Sequence, residues 1–133
     1  KAIWEERQDV GAVGGNLLDK KNKITGGIYD KSGNCPYLGL KAGYSGYMHR
    51  AALRQEAYAV DVRNVGLAPG LYGIFQEVTG QAYDNLDVSR LPQGEALWDM
   101  NQRFAKCIRR EGYRVIWDPR YIQKAAKGKG SKG

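Results

Sequence analysis

The sequence predicts an α/β domain, built as a mixed sheet with flanking helices. Short runs rich in β-branched residues alternate along the chain with two stretches of helical periodicity. The longer stretch, residues 96–111, places Met100, Phe104 and Ile108 four residues apart, so that they share one helix face. The length of 133 residues is that of one domain. Strands mixed with amphipathic helices are typical of α/β and α+β folds.

The first 29 residues predict the end of a helix followed by two strands that a polar turn joins. Residues 1–9 are predicted to be the end of a helix. Val10–Val13 is predicted as a short buried strand, in which small residues allow close backbone approach. Leu17 and Leu18 then lead into a polar turn, and Ile24–Tyr29 is predicted to return as a second strand.

Residues 30–56 are rich in glycine, tyrosine, serine and asparagine, and are too irregular for a simple connection. Long loops inside compact domains are usually functional or mobile. Tyr37, Tyr44 and Tyr47 are therefore candidates for ligand contact, the alternative being that they only cover the core. His49, the single histidine of the chain, is a candidate substrate-binding residue or else a surface residue.

The second half of the chain predicts a strand, a helix, a loop, a helix and a strand. Ala57–Pro69 alternates apolar and polar residues, as a half-buried strand does. Leu71–Val78 is predicted as a short helix that Gly80 ends. The loop of residues 81–95 then precedes the helix of residues 96–111.

This last helix is predicted to have a basic outer face and to end at a glycine. Gly112 can adopt the left-handed conformation that ends a helix. Tyr113–Trp117 is then predicted as a strand, which Asp118 and Pro119 stop because proline cannot donate a hydrogen bond to a sheet. The residues predicted to face away from the core are Arg103, Lys106, Arg109 and Arg110.

The positive charge of the chain is concentrated at its C-terminus. The formal net charge of +7 falls by four, to +3, without the lysines of residues 124–133. We predict a basic, flexible tail there. We predict no specific nucleic-acid partner, since a surface that binds nucleic acid needs positive charge clustered on a folded face. No apolar run approaches the ~20 residues that span a bilayer. Cys35 and Cys107 are predicted to be free thiols.

Three segments, taken in order, resemble family 2 glycosyltransferases of the rhamnosyltransferase-like kind. They are "DVGAVGGNLLDKKNKI", "AYAVDVRNVGLAPGLYGIFQEVTG" and "FAKCIRREGYRVIWDP", and "GYRVIWDP" is the piece with the greatest similarity. The resemblance extends roughly from Val10 to Pro119. It implies that residues 1–123 are the C-terminal, acceptor-side half of a GT-A type domain, a partial nucleotide-diphospho-sugar transferase-like fold. It also implies a preceding half, in which an Asp-x-Asp motif holds a divalent metal against the donor diphosphate.

The resemblance further implies where site residues lie. Family members carry an acidic pair at the start of the penultimate helix, and its aspartate is the usual general base for the acceptor hydroxyl. The aligned residues here are Met100 and Asn101, so neighbouring Asp99 is the catalytic candidate, its alternative role being to stabilise the helix dipole. The His-rich stretch of the family aligns with Ala125 and Ala126, so we expect no metal ligand in this chain. The predicted substrate-binding residues are Tyr44, Tyr47, His49 and Trp98.

The function implied by the resemblance is transfer of a sugar from a nucleotide-sugar donor to a glycan or lipid-linked acceptor, in bacterial cell-wall polysaccharide synthesis. This part would shape the acceptor site and be inactive alone. A cytoplasmic location at the inner face of the membrane, peripheral membrane association and a homodimer are further expectations. Two alternatives stay open. One is a diverged, non-catalytic glycan-binding or scaffolding module that stacks sugars on aromatic rings, and the other is a basic RNA-binding protein.

Overall fold

A computed structural model describes residues 7–40 and 54–124, with side chains as far as Pro119. Seven strands and two helices form this part of the chain. The strands are β1 Val10–Leu18, β2 Ile24–Gly26, β3 Ile28–Tyr29, β4 Gln55–Glu56, β5 Ala59–Val60, β6 Val65–Leu67 and β7 Arg114–Lys124. The helices are α1 Tyr72–Thr79 and α2 Gly94–Arg110, and 3-10 turns cover Val62–Asn64, Tyr83–Asn85 and Val88–Arg90.

Strand β1 is the centre of a five-stranded mixed sheet. β7 lies parallel along one edge of β1, while β2 and β6 pair antiparallel with its other edge. β4 continues the sheet beyond β7, and β3 and β5 form a separate antiparallel pair. The predicted α/β class, with a mixed sheet and helices, is therefore confirmed.

The glycines of β1 let neighbouring elements approach its backbone closely, as predicted. A Cβ on Gly14 would overlap the side chain of Val60, and a Cβ on Gly11 would lie 2.6 Å from the Cβ of Tyr113. β1 is longer than the predicted Val10–Val13, because its pairing with β2 and β7 continues beyond that range. All nine of its residues are buried, as expected for a central strand.

The main core lies between the sheet and the two helices. Phe75 of α1 and Phe104 of α2 meet edge to face with ring centroids 5.6 Å apart, and both are fully buried. Trp117 of β7 belongs to the same core. α2 begins at Gly94, slightly earlier than predicted, and Gly80 ends α1 with a left-handed φ of 77°, as predicted.

The C-terminus of α2 has the geometry that its glycine predicts. Gly112 adopts a φ of 92°, and its N–H donates to the carbonyl of Arg109 at 2.9 Å. The N–H of Tyr113 donates to the carbonyl of Ile108 at 3.2 Å, so the two bonds form a Schellman motif. This turn leads the chain from α2 directly into β7.

The prediction that Asp118 and Pro119 stop the last strand is wrong, because β7 continues to Lys124. Its parallel pairing with β1 shifts register around the proline. Between the two flanking pairs, β1 has one residue and β7 has four. Proline is tolerated at such a bulge, since its missing N–H costs no ladder bond there. The pairs on either side of the shift are Gly14 with Trp117 and Asn16 with Ile122.

The segment predicted as one strand, Ala57–Pro69, is divided by the 3-10 turn of residues 62–64. Asp61 precedes this turn, and its Oδ1 accepts a hydrogen bond from the N–H of Arg63 at 2.9 Å. Local side-chain bonds of this kind offer the backbone an alternative to a sheet ladder. The predicted strand Ile24–Tyr29 is likewise interrupted, at Gly27, where φ is 141°.

The sequence predicted that Arg109 faces away from the core, and this prediction is wrong. Its Nη2 donates to the carbonyl of Ala57 and, at 2.7 Å, to that of Tyr58. The guanidinium carbon also lies 5.4 Å from the centroid of the Tyr58 ring. This side chain therefore joins α2 to the segment between β4 and β5. The other three basic residues predicted on the outer face, Arg103, Lys106 and Arg110, are exposed.

Some predicted features lie outside the described ranges. They are residues 1–6 of the predicted helix end, the loop residues Tyr44, Tyr47 and His49, and residues 125–133 of the predicted tail. Lys124, predicted as the first residue of the tail, is the last residue of β7. In the described ranges, neither helix combines the length and the apolar composition needed to cross a bilayer.

Candidate functional site

A buried ion pair organises the turn between β5 and β6. Arg63 donates two hydrogen bonds to Asp61, from Nε to Oδ1 at 2.9 Å and from Nη2 to Oδ2 at 2.7 Å. The side chain of Asp61 is fully buried, whereas that of Arg63 is 22% exposed. The hydrogen bonds and charge of Asp61 raise the pKa of Arg63, so the guanidinium stays protonated. A cation is thus held at the surface by a carboxylate behind it.

Tyr29 contacts the same carboxylate. Its hydroxyl donates to Oδ2 of Asp61 at 2.8 Å. Burial and then the negative charge of Asp61 raise the pKa of Tyr29 well above its ordinary value, so the hydroxyl keeps its proton. Gly26 makes room for this contact, since a Cβ at that position would lie 2.7 Å from the Tyr29 hydroxyl oxygen.

Asn101, at the position aligned with the family's general base, has a structural role here. It is buried on α2, and its Oδ1 accepts a hydrogen bond from the N–H of Val62 at 2.9 Å. The amide therefore ties α2 to the turn that carries the Asp61–Arg63 ion pair. Met100, the other aligned residue, is part of the core. Neither residue has a group that could take a proton from an acceptor hydroxyl.

Trp98 joins an aromatic cluster beside the ion pair. Its ring lies edge to face against Tyr29, with centroids 5.7 Å apart, and tilted against Tyr58 at 6.1 Å. Gly33 packs on the indole, since a Cβ there would lie 3.2 Å from Cε2 of Trp98. The tryptophan is half-buried, so part of its ring remains at the surface. Of the predicted substrate-binding residues, this is the one that the described ranges contain.

Asp99, the catalytic candidate, is exposed on α2. Its Oδ1 accepts a hydrogen bond of 3.4 Å from Nε2 of Gln102, one turn further along the helix. Because α2 begins at Gly94, the acidic residue of its first turn is Glu95. Stabilisation of the helix dipole, the alternative role considered for Asp99, therefore belongs to Glu95 instead.

Tyr37 covers the core rather than forming an open binding surface. Its ring stacks on that of Trp117, with centroids 5.0 Å apart and an interplanar angle of 20°. Its hydroxyl accepts a hydrogen bond from Nε2 of Gln55 at 2.6 Å. The alternative of a core-covering role, left open by the sequence, is the one that these contacts favour for Tyr37.

Two buried asparagines lie where β1 and β7 change register. The Oδ1 of Asn16 accepts from Nε1 of Trp117 at 3.2 Å, and its Nδ2 donates to the carbonyl of Pro119 at 3.4 Å. The Nδ2 of Asn64 donates to the carbonyl of Asn16 at 2.9 Å. Oδ1 of Asn64 is buried, and no residue of the described ranges donates a hydrogen bond to it. The Asn16 amide thus bridges β1 and β7 at the register shift, and Asn64 joins the 3-10 turn to β1.

Sequence reasoning missed the ion pair, although a signal for it was present. Asp61 and Arg63 stand two residues apart inside an otherwise apolar alternating run. In a strand they would lie on the same face, and two opposite charges on the buried face of a strand would need to pair. The pairing with Tyr29 could not be foreseen, because it depends on how β3 packs against β5.

The described residues contain no group of three or more His, Cys, Asp or Glu side chains that could hold a metal ion. Comparison with known proteins finds no similar family model, curated protein or solved structure. The interpretation of the site therefore rests on its geometry and on the three sequence segments described above.

Proposed function

We propose that this chain is the acceptor-side part of a family 2 glycosyltransferase with a GT-A type fold, and that it binds the glycan acceptor. The observation that carries the proposal is the packing of the three resembling segments against one another. β1, from the first segment, pairs with β6 of the second and β7 of the third. The helix of the second segment, α1, packs against α2 of the third. Segments that resemble one family in order also form one structural unit.

The edge of β6 supports the idea of a larger domain. In the antiparallel pair of β6 and β1, the backbone N–H and C=O groups of one residue point to the partner strand, and those of the next residue point away from it. The N–H of Ala68 donates to the carbonyl of Gly11 at 2.9 Å, so the N–H of Leu67 points to the opposite edge. No strand of the described ranges pairs with that edge. The edge is partly covered, since the hydroxyl of Tyr83 donates to the carbonyl of Val65 at 3.2 Å, and Leu67 is 2% exposed. The N–H of Leu67 is the group that a further strand could bind.

The chain's own residues suit acceptor binding better than proton transfer. Aromatic rings stack on the apolar faces of sugars, and Trp98 offers such a ring at the surface, with Tyr29 and Tyr58 beside it. A divalent metal in the preceding half would neutralise the leaving diphosphate of the donor. Asp99 is the carboxylate available as a base on this part of α2, since the amide of Asn101 cannot take a proton. Positioning of the acceptor is the contribution assigned to this chain.

The aromatic cluster also favours the second candidate function, a glycan-binding module without catalysis. All three of its rings belong to this chain, so sugar stacking would not need a nucleotide-binding half. The two candidates differ in what the full-length protein does. A full-length protein that transfers radiolabelled sugar from a nucleotide donor supports the enzyme, and one that binds glycans without turnover supports the module.

Replacing Trp98 tests acceptor binding directly. We expect Trp98→Ala to weaken the binding of neutral oligosaccharides by roughly tenfold, because one stacked ring contributes on the order of 1 kcal/mol or more. A glycan array first identifies an oligosaccharide that the chain binds, and isothermal titration calorimetry then measures its dissociation constant for each variant. Tyr72→Ala is the matched control, since Tyr72 is an exposed aromatic residue on α1, away from Trp98.

Calorimetry with nucleotide sugars and Mn²⁺ completes this experiment. We expect little heat from this chain alone, because the donor site belongs to the preceding half. Tight, metal-dependent binding of a nucleotide sugar to this chain would contradict its assignment to the acceptor side. Equal glycan affinity of Trp98→Ala and the unaltered chain would contradict the aromatic acceptor site.

A further inference from the structure

The guanidinium of Arg63 is held by Asp61 and Tyr29, and its side chain is partly exposed. Nε and Nη2 each donate one hydrogen bond to Asp61, which leaves Nη1 and the second hydrogen of Nη2 unused by that carboxylate. The side chain of Arg63 is 22% exposed, whereas that of Asp61 is inaccessible. An approaching ligand therefore meets the cation and not the carboxylate.

The fixation of Arg63 favours ligand binding in two ways. A guanidinium carries its donors in a planar fork that matches carboxylate and phosphate oxygens. An arginine already held in one conformation loses little entropy when it binds, so more of the interaction energy is expressed as affinity. Tyr29 adds to the fixation, since its hydroxyl occupies Oδ2 of Asp61 from another direction at 2.8 Å.

The fixed guanidinium and the aromatic cluster are neighbours through Tyr29. The hydroxyl end of Tyr29 contacts the carboxylate that holds Arg63, and its ring lies 5.7 Å from that of Trp98. Tyr29 thus lies between the ring of Trp98, on which a sugar could stack, and the guanidinium of Arg63, which could bind an anion. No sequence segment predicted this juxtaposition.

We propose that Arg63 and Trp98 form a single recognition site for an acidic glycan, in which Trp98 stacks on a sugar ring and Arg63 binds a carboxylate or phosphate of the same or the adjacent sugar. This inference rests on the proposed glycan-binding function and specifies the chemistry of the ligand. The shared feature of the ligand is one anionic group next to a sugar face. A hexuronic acid and a phosphorylated sugar both provide it.

A purely structural role for Arg63 makes a different prediction. If Arg63 only neutralises buried Asp61, acidic and neutral glycans bind equally well. Arg63→Lys keeps a positive charge near Asp61 but removes the planar fork. The double substitution Asp61→Asn with Arg63→Gln removes both charges together, so that no buried charge is left unpaired. These two variants separate ligand binding from folding, and circular dichroism verifies that each is folded.

The test compares three disaccharides of matched linkage: a neutral one, one with a hexuronate and one with a phosphorylated hexose. We expect the unaltered chain to bind an acidic disaccharide about tenfold more tightly than the neutral one, as a charge-assisted bidentate contact allows. Arg63→Lys and the double variant should lose this preference while keeping their affinity for the neutral disaccharide. Arg103→Lys, the same substitution at an exposed arginine on α2, should keep it. Whichever acidic disaccharide shows the preference identifies the source of the anion.

Two outcomes would overturn the inference, and they can be told apart. If all three disaccharides bind equally and Arg63→Lys changes nothing, the acidic preference is wrong while the glycan-binding function stands. If no disaccharide binds, and Trp98→Ala has no effect, the proposed function fails together with the inference.

Discussion

At the scale of single residues, the buried amides at the β1–β7 bulge show how polar groups decide local geometry. Trp117 has one donor, Nε1, and a proline carbonyl can only accept, so the orientation of the Asn16 amide between them is unambiguous. Asn64 must direct Nδ2 to the carbonyl of Asn16 for the same reason. The two bonds of Asn16 satisfy polar groups of β7 around the bulge at Pro119.

Asn16→Leu tests this polar arrangement. The leucine is similar in size but leaves Nε1 of Trp117 without an acceptor, and an unsatisfied buried donor costs about 1–3 kcal/mol. We expect the free energy of unfolding in urea to fall by about 2 kcal/mol. Asn85→Leu, at an exposed asparagine in a 3-10 turn, should change it by no more than about 0.5 kcal/mol. Equal effects of the two substitutions would show that the buried amide is unimportant.

At the scale of elements, sequence patterns predicted helices better than strands. The stripe containing Phe104 and Ile108 predicted α2, and Gly112 predicted its end, because a helix is held together by bonds within its own segment. Strand ends depend on partners. β7 continues past Pro119 because β1 pairs with it beyond the bulge, and Ala57–Pro69 breaks because Asp61 caps a turn.

The close packing of β1 against β5 gives a prediction at this scale. A methyl group at position 14 would overlap Val60, both residues being buried, so Gly14→Ala should lower the free energy of unfolding by about 1–3 kcal/mol. Gly73→Ala is the control, because a Cβ added at this position of α1 would have no described atom within 4 Å. We expect that substitution to stabilise the chain slightly, by about 0.5 kcal/mol. A neutral Gly14→Ala in urea unfolding would contradict the close contact of β1 and β5.

At the scale of the whole molecule, the edge of β6 decides whether the described sheet is complete. Ala68 donates its N–H to β1, and the register pairs Gly66 with Val13 in the same orientation. Leu67 points its N–H away from β1. The hydroxyl of Tyr83 donates to the carbonyl of Val65 on that outer edge, and the N–H of Leu67 is the group there that a further strand could bind.

Amide hydrogen exchange measures this edge residue by residue. In the isolated chain we expect the amide of Leu67 to exchange faster than those of Gly66 and Ala68, because only the latter two donate to β1. Nuclear magnetic resonance provides the rates. Strong protection of Leu67 in the isolated chain would mean that another strand already occupies this edge.

The amino-acid order alone was sufficient for the α/β class, both helices, the cap at Gly112 and the small residues of β1, since these follow from local periodicity and backbone sterics. It also gave Trp98 as a candidate substrate-binding residue, which stays a prediction. The length of β7 and the ion pair of Asp61 with Arg63 required the folded chain. So did the position of Tyr29 between that pair and Trp98. These features join residues that are far apart in sequence, and no local pattern encodes which distant groups meet once a hydrophobic core has formed.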